Sequence, residues 1–183
     1  EWNGMKFIDS DGTFLNKDKN KKLFELATSV NLSNLKEKNS KSKCSTFIES
    51  IDLHINNVLN INFLEVDKIK NKNFKIVLDT INGASCIGFK KLLQELNCEL
   101  IHINEQPNGV FDRNPEPKTE NIKEVSKIVL EHSADLALIT DPDGDRLAII
   151  DNKGQVMIEE NTLVLCADEF LNKTNNKNPI VTN

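Results

Sequence analysis

From Phe74 onward the chain alternates short, continuous apolar runs with amphipathic stretches. Phe74–Leu78, Cys98–Ile103, Ala134–Ile139 and Leu147–Ile150 are the apolar runs. Runs of this length without polar alternation read as strands covered on both faces. Between them, residues 84–96 place Ile87, Leu92, Leu93 and Leu96 at helical spacing, and residues 122–129 do the same with Ile122, Val125, Ile128 and Val129. Asn121 followed by Glu124 predicts a capping box at the start of the second of these helices. Asn82-Gly83 marks a turn, and Asp151-Asn152-Lys153-Gly154 marks a tight hairpin. A further helix is predicted over residues 159–171 and a strand from Pro179 to Thr182. Upstream, Met5–Ile8 predicts a strand that runs into the plain turn Asp9-Ser10-Asp11-Gly12. Residues 16–27 predict a helix with Leu23, Phe24 and Ala27 on one face, and residues 28–45 a polar connection. Residues 47–59 predict a second helix, with apolar positions at 47, 48, 51, 55, 58 and 59, and Asn71-Lys72-Asn73 predicts a break. Strand and helix in regular alternation predict an α/β layered domain.

Composition narrows the function without deciding it. The 183 residues suffice for one domain of ordinary size, or for one plus parts of its neighbours. A net charge of −5 counts against nucleic acid and anionic membranes as partners. No run of 18 apolar residues and no signal peptide is present. The four cysteines form neither a CxxC pair nor a zinc pattern, and read as reduced, partly buried thiols of a cytoplasmic protein. The opening Glu1-Trp2-Asn3-Gly4 reads as the interior of ordered structure, so the expectation is a fragment of a longer chain.

The chemistry concentrates in Asp141-Pro142-Asp143-Gly144-Asp145-Arg146. Three carboxylates at alternating positions lie between two buried strands, hence at the end of a sheet, where α/β proteins place ligands. Such close anions repel unless a cation joins them. Hard oxygen donors suit Mg²⁺, Ca²⁺ or Mn²⁺. Pro142 stiffens the loop and Gly144 lets the backbone turn. Arg146, one of two arginines in a lysine-rich chain, adds a bidentate donor suited to a phosphate oxygen. The competing reading is an acidic surface turn with no ion. A Ca²⁺-binding EF-hand fails, because Arg146 stands where the sixth-position Gly belongs and Asn152 where the twelfth-position Glu belongs. His54, His102 and His132 stand alone and read as structural or exposed. Glu116, between Pro115 and Pro117, reads as a turn residue.

Residues 140–151 (TDPDGDRLAIID) resemble the metal loop of the α-D-phosphohexomutase superfamily, which includes phosphoglucomutase, phosphomannomutase and phosphoglucosamine mutase. Residues 1–7 (EWNGMKF) resemble the stretch after that family's phosphoserine loop, residues 78–89 (LDTINGASCIGF) the first strand and helix of its second domain, and residues 111–122 (FDRNPEPKTENI) its Pro-Glu-Pro segment. The resemblance implies a three-layer α/β/α domain with a mixed sheet over residues 67–156. It implies the end of a first domain and a linker over 1–66, and the start of a third domain over 157–183.

It also implies a reaction. A phosphoserine exchanges a phosphoryl group with the 1- and 6-hydroxyls of a hexose phosphate, by way of a hexose 1,6-bisphosphate. Asp141, Asp143 and Asp145 would hold Mg²⁺, Arg146 a phosphate oxygen, and Lys6 would lie near the transferred phosphate. The residues lean towards the phosphoglucosamine mutase branch, with phosphomannomutase and phosphoglucomutase beside it. No serine here has the Ser-His-Asn-Pro context of the donor, so the fragment is expected to be inactive without the remaining domains of the parent chain. The alternative is a non-catalytic, metal-binding remnant of a mutase.

Overall fold

The computed structural model describes residues 6–30, 45–157, 159–175 and 177–181. The chain divides into two compact units, Glu1–Phe47 and Ile48–Asn183.

In the first unit the expected strand over residues 5–8 reduces to one antiparallel bridge between Ile8 and Phe14, with Met5 outside the described residues. The intervening turn is local chemistry. Gly12 adopts φ +83°, its N–H donates to the Asp9 carbonyl at 3.0 Å, and Asp11 Oδ1 accepts from the Thr13 N–H and hydroxyl. Helix α1 (Lys17–Ser29) starts where Asn16 caps it, Oδ1 accepting the Lys19 N–H at 3.0 Å. The polar connection falls largely on residues 31–44, outside the described residues.

The second unit contains helix α2 (Ser50–Leu59), helix α3 (Val66–Lys72), strand β1 (Lys75–Asp79), helix α4 (Cys86–Glu95), strand β2 (Glu99–Ile103), helix α5 (Lys123–Glu131), strands β3 (Leu136–Thr140), β4 (Leu147–Asp151) and β5 (Val156–Met157), and helix α6 (Glu159–Thr174). The strands form one mixed sheet in the order β2-β1-β3-β4-β5. β1 is parallel to β2 and β3; β3–β4 and β4–β5 are antiparallel. The α/β class agrees with the sequence pattern, and the mixed sheet with what the family resemblance implies. No strand occurs over the described part of residues 179–182, that is 179–181.

Pleating sorts the apolar runs onto two faces. Val77, Ala137, Ile139, Ala148 and Ile150 pack with Ile122, Val125 and Val129, the α5 side. Ile76, Leu78, Leu136 and Leu138 pack with Phe89, Leu93 and Leu96, the α4 side. Residues covered on both sides need no polar alternation, which is why the strand sequences are continuously apolar. Each fully buried aliphatic side chain contributes roughly 1.5–3 kcal/mol by leaving water.

Local signals account for the departures. Asn121 does not cap α5. It lies in a 3₁₀ turn, Thr119–Asn121, its Nδ2 donates to the Glu116 carbonyl at 2.9 Å, and Ile122 takes the cap position with no side-chain bond. Helix α3 is only seven residues long and shows no apolar stripe in sequence; Asn73 closes it at φ +48°. Among the described residues no helix is long and apolar enough to cross a membrane.

One polar group is buried with the apolar ones. Asp79, at the C-terminal end of β1, is fully buried. Its Oδ1 accepts the Ile81 N–H and the Asn104 Nδ2, both at 2.9 Å. Its Oδ2 accepts Arg113 Nη2 at 2.7 Å and Nε at 3.2 Å. Removing Arg113 leaves a buried carboxylate without its counter-charge, which costs about 3–5 kcal/mol. Arg113→Ala is therefore expected to lower the urea-unfolding free energy by that amount, whereas Lys91→Ala, which removes a surface pair with Asp52, costs under about 1 kcal/mol. Equal losses in the two melts would contradict the buried-pair account.

Candidate functional site

Strands β1, β2 and β3 end on the same edge of the sheet, and the chain steps from β2 on one side of β1 to β3 on the other. That reversal splays the following loops apart and opens a crevice at the carboxyl ends of the strands. The β3–β4 hairpin loop, residues 141–146, stands at this edge, its ends held by the Thr140–Leu147 pair.

The turn after β1 shapes the loop from below. Ile81 and Asn82 both adopt left-handed backbone, φ +47° and +54°. For a buried β-branched residue such as Ile81 this is strained. Asn82 fixes the strain with its own amide: Oδ1 accepts the Gln106 N–H at 3.0 Å and Nδ2 donates to the Val110 carbonyl at 2.8 Å. The chain then passes so close to the acidic loop that a Cβ on Gly83 would stand 2.5 Å from the Pro142 carbonyl oxygen. The Ala84 N–H donates to that same oxygen at 2.8 Å, and Ser85 Oγ meets Thr140 Oγ1 at 2.7 Å. The two loops are thus pinned backbone to backbone.

Within the acidic loop Asp141 is buried while Asp143 and Asp145 are exposed. Asp141 Oδ1 accepts the N–H groups of Gly144 (3.1 Å) and Arg146 (3.2 Å), and Gly144 turns the chain at φ +77°, as its place in the sequence requires. One ligand oxygen from each aspartate lies within 4.8 Å of the others. Ligands of an octahedral Mg²⁺ at about 2.1 Å stand about 3 Å apart, so the two exposed carboxylates need only close inward. Burial pushes the Asp141 carboxyl up to about 6, the Arg146 N–H opposes the shift, and the charges of Asp143 and Asp145 add to it. A second positive charge would relieve this strain. Three hard anionic oxygens, one of them desolvated, are a donor set that could hold a divalent metal.

Arg146 stands beside the trio. Its Nε lies 3.9 Å from Asp141 Oδ2 and 4.0 Å from Asp145 Oδ1, and its Nη1 3.5 Å from Glu116 Oε1. It lines two recesses. One, of about 260 Å³, runs along residues 116–120 to Glu160; the other, of about 520 Å³, lies against α2, Ser85, Phe89 and the acidic loop. The candidate residues of the loop therefore come together. Lys6 belongs to the first unit, where its ammonium lies 6.0 Å from the Phe14 ring. His102 is structural: its Nε2 meets Thr80 Oγ1 at 2.9 Å, and burial lowers its pKa. His54 and His132 are exposed, and His54 lines the larger recess. Sequence reasoning passed over Glu116, Asp79 and Arg113 as parts of this edge. The available signal was Arg113 itself, an arginine where nearly every other base is lysine.

The family model described as phosphoglucomutase/phosphomannomutase, alpha/beta/alpha domain II, matches residues 52–154. A phosphoglucomutase/phosphomannomutase of Thermococcus kodakarensis is 33% identical, with 93% of this chain and 37% of the relative covered. A phosphopentomutase of the same organism is 32% identical (92% and 36%), and a probable phosphoglucosamine mutase of Methanopyrus kandleri 30% identical (93% and 36%). The chain spans about a third of the length of the curated relatives it matches. Among solved structures, a phosphoglucomutase/phosphomannomutase family protein of Burkholderia thailandensis superposes with TM-score 0.57 at 28% identity, covering 68% of this chain and 26% of that one.

Two outcomes follow from the geometry. Gly83→Ala drives a Cβ into the Pro142 carbonyl and is expected to cost roughly 1–3 kcal/mol in a urea melt, as overpacking does. The second concerns pH. With its carboxyl raised to about 6 from 3.8, folded Asp141 keeps a proton that the unfolded chain has already released. Its contribution to metal-free stability therefore falls as pH rises from about 4 to about 6 and stays low above that. Asp141→Asn, which retains the Oδ1 acceptor, should raise the metal-free melting temperature at pH 7.5 and leave it unchanged at pH 4. A fall at both pH values would contradict this.

Proposed function

Because the chain belongs to the phosphoglucomutase/phosphomannomutase family, we propose that it supplies the metal-binding domain of an enzyme that interconverts hexose 6-phosphates and hexose 1-phosphates. The observation that carries the reading is the convergence of Asp141, Asp143 and Asp145 within 4.8 Å, with the Arg146 guanidinium beside them, on the ligand-binding edge of the sheet. The three aspartates hold Mg²⁺. When bound, the ion neutralises negative charge that develops on the phosphoryl oxygens. Phosphoryl transfer asks the protein mainly for positioning and electrostatic stabilisation, with little covalent work. In this scheme Arg146 donates to a phosphate oxygen through a planar fork, which orients the group as well as balancing its charge. Buried Asp141 sets the depth of the site, and its backbone bonds keep the loop from spreading. Lys6 is the proposed group near the transferred phosphate, contributed by the residues before α1.

The proposed division of labour extends to domains. Residues 1–66 belong to the end of a first domain and its linker, 67–156 to a whole second domain, and 157–183 to the start of a third. The phosphoryl donor is a phosphoserine outside this chain, so the isolated chain binds metal and does not turn over substrate. A phosphopentomutase and a phosphoglucosamine mutase stand among the similar proteins at comparable identity, so the choice of sugar is left to residues outside this stretch.

The test uses the parent protein and the chain together. The parent should interconvert glucosamine, mannose or glucose phosphates in a Mg²⁺-dependent assay, and Asp143→Ala should lower kcat by at least about a hundredfold. The 183-residue chain should bind Mn²⁺ in titration calorimetry and give no turnover. Full activity of the Asp143→Ala parent, or turnover by the isolated chain, would refute the proposal.

A further inference from the structure

Ser85 stands at the cap of a helix and does not cap it. Its carbonyl opens α4 by accepting the Phe89 N–H at 2.9 Å, so its backbone is fixed by the helix. A serine in that place ordinarily turns its hydroxyl onto the free N–H groups of the first turn. Ser85 makes no such bond. Its Oγ meets Thr140 Oγ1 at 2.7 Å instead, 55 residues further along the chain. Thr140 is buried, and it is the last residue of β3, directly before Asp141. The hydroxyl thus gives up a local bond for a distant one, and that choice ties α4 to the root of the acidic loop.

The same side chain also touches the far leg of the loop. A Cβ on Gly144 would stand 3.3 Å from Ser85 Cβ and 3.8 Å from its Oγ. Ser85 therefore sits between Thr140, which leads into Asp141, and Gly144, which separates Asp143 from Asp145. Its neighbours Gly83 and Ala84 meet the loop elsewhere, both at Pro142. A loop held at its base by the Thr140–Leu147 pair and at one point of its tip by the Ala84–Pro142 bond can still tilt about the line between them. Ser85 makes contact on either side of Pro142, which opposes the tilt. Asp141 continues β3 and is buried, whereas Asp143 and Asp145 ride on the exposed tip. A tilt of the tip alters the distance from the two exposed carboxylates to the buried one. Ser85, Thr140, Asp143, Gly144 and Asp145 all line the 520 Å³ recess.

We propose that Ser85 is a positioning residue for the acidic loop: its hydroxyl, bonded to Thr140, sets the spacing at which Asp141, Asp143 and Asp145 meet a divalent cation, without touching the cation itself. This rests on the metal-binding reading above and adds a residue on a different element, α4. The competing account is purely structural. In it the hydroxyl pair only spares the buried Thr140 oxygen from standing unbonded. The two accounts part when both hydroxyls are removed. No orphan group is then left, so a structural role is made good by the double substitution. A lost tie between α4 and β3 is not.

The experiment is a double-mutant cycle on the full 183-residue chain at pH 7.5. Mn²⁺ is the probe, with affinity read by electron paramagnetic resonance and folding by the metal-free melting temperature. Ser85→Ala keeps the Cβ against Gly144, removes only the hydroxyl, and takes away no cap bond. Ser85→Ala, Thr140→Val and the two together are each expected to weaken Mn²⁺ binding about fivefold, below the range for groups bonded directly to a metal ligand. The losses do not multiply, because either substitution breaks the same contact. The melting temperature should fall in the single variants, each of which orphans a hydroxyl, and recover in the double one. Thr140→Ser restores the hydroxyl and should return affinity to within about twofold of wild type. Unchanged affinity in Ser85→Ala, affinity that recovers with the melting temperature in the double variant, losses that multiply, or a loss in Thr140→Ser as large as in Thr140→Val would each overturn the proposal. Should the single variants not fold, the double variant decides: wild-type affinity overturns the proposal, and weakened binding at a wild-type melting temperature supports it. A wild-type chain that binds no Mn²⁺ would remove the metal-binding reading itself, whereas a wild type and a double variant that bind equally would remove only Ser85's part in it.

Discussion

The edge of the second unit's sheet that carries the acidic loop is organised around one carboxylate that never meets solvent. Asp79 ends β1, and its two oxygens accept four hydrogen bonds: from the Ile81 backbone, from Asn104 after β2, and two from Arg113 in the long loop. A buried charge is tolerated only when paired and fully bonded, and satisfying this one draws three separate segments to a single point. The turn after β1, the exit of β2 and the arm that carries Glu116 are all placed by that demand. The apolar packing on the two faces of the sheet supplies the cohesion; the carboxylate supplies the register of the loops.

The acidic loop is held by a different device, close approach of backbone. Ile81 and Asn82 turn left-handed so that Gly83 and Ala84 can meet Pro142, and the Ala84 N–H bonds the Pro142 carbonyl. The loop that gathers three repelling carboxylates is therefore braced by peptide groups and by the Ser85–Thr140 hydroxyl pair. Such bracing is independent of ions and gathers the three carboxylates by itself. What remains is the repulsion itself, concentrated on Asp141 because it is the member removed from water.

Much of this was legible in the chain. Continuous apolar runs disclosed strands covered on both faces, and the alternation with helical stripes disclosed the α/β class. The residues 141–146 stood out by charge alone, and the fold brings their oxygens together. The failures have physical reasons. Asn121 followed by Glu124 has the form of a capping box, but the Asn121 amide is claimed by the Glu116 carbonyl, a partner no local pattern reveals. Helix α3 has too few apolar residues to show a stripe. The strand expected before Asp9 forms only a bridge at Ile8, because a tight turn does not by itself build a ladder. Glu116 looked like a turn residue and is one; its reach to Arg146 depends on a tertiary anchor thirty-four residues away from Arg113, at Asp79.

The central proposal is chemical: Asp141, Asp143 and Asp145, on the hairpin between β3 and β4, would hold a divalent cation. The most direct measurement is an anomalous-scattering map from crystals of this chain grown with Mn²⁺. The account predicts a single strong peak at about 2.1–2.2 Å from one oxygen of each of the three aspartates. A map with no peak there, or with Mn²⁺ bound by other residues while the three carboxylates point apart, would contradict it.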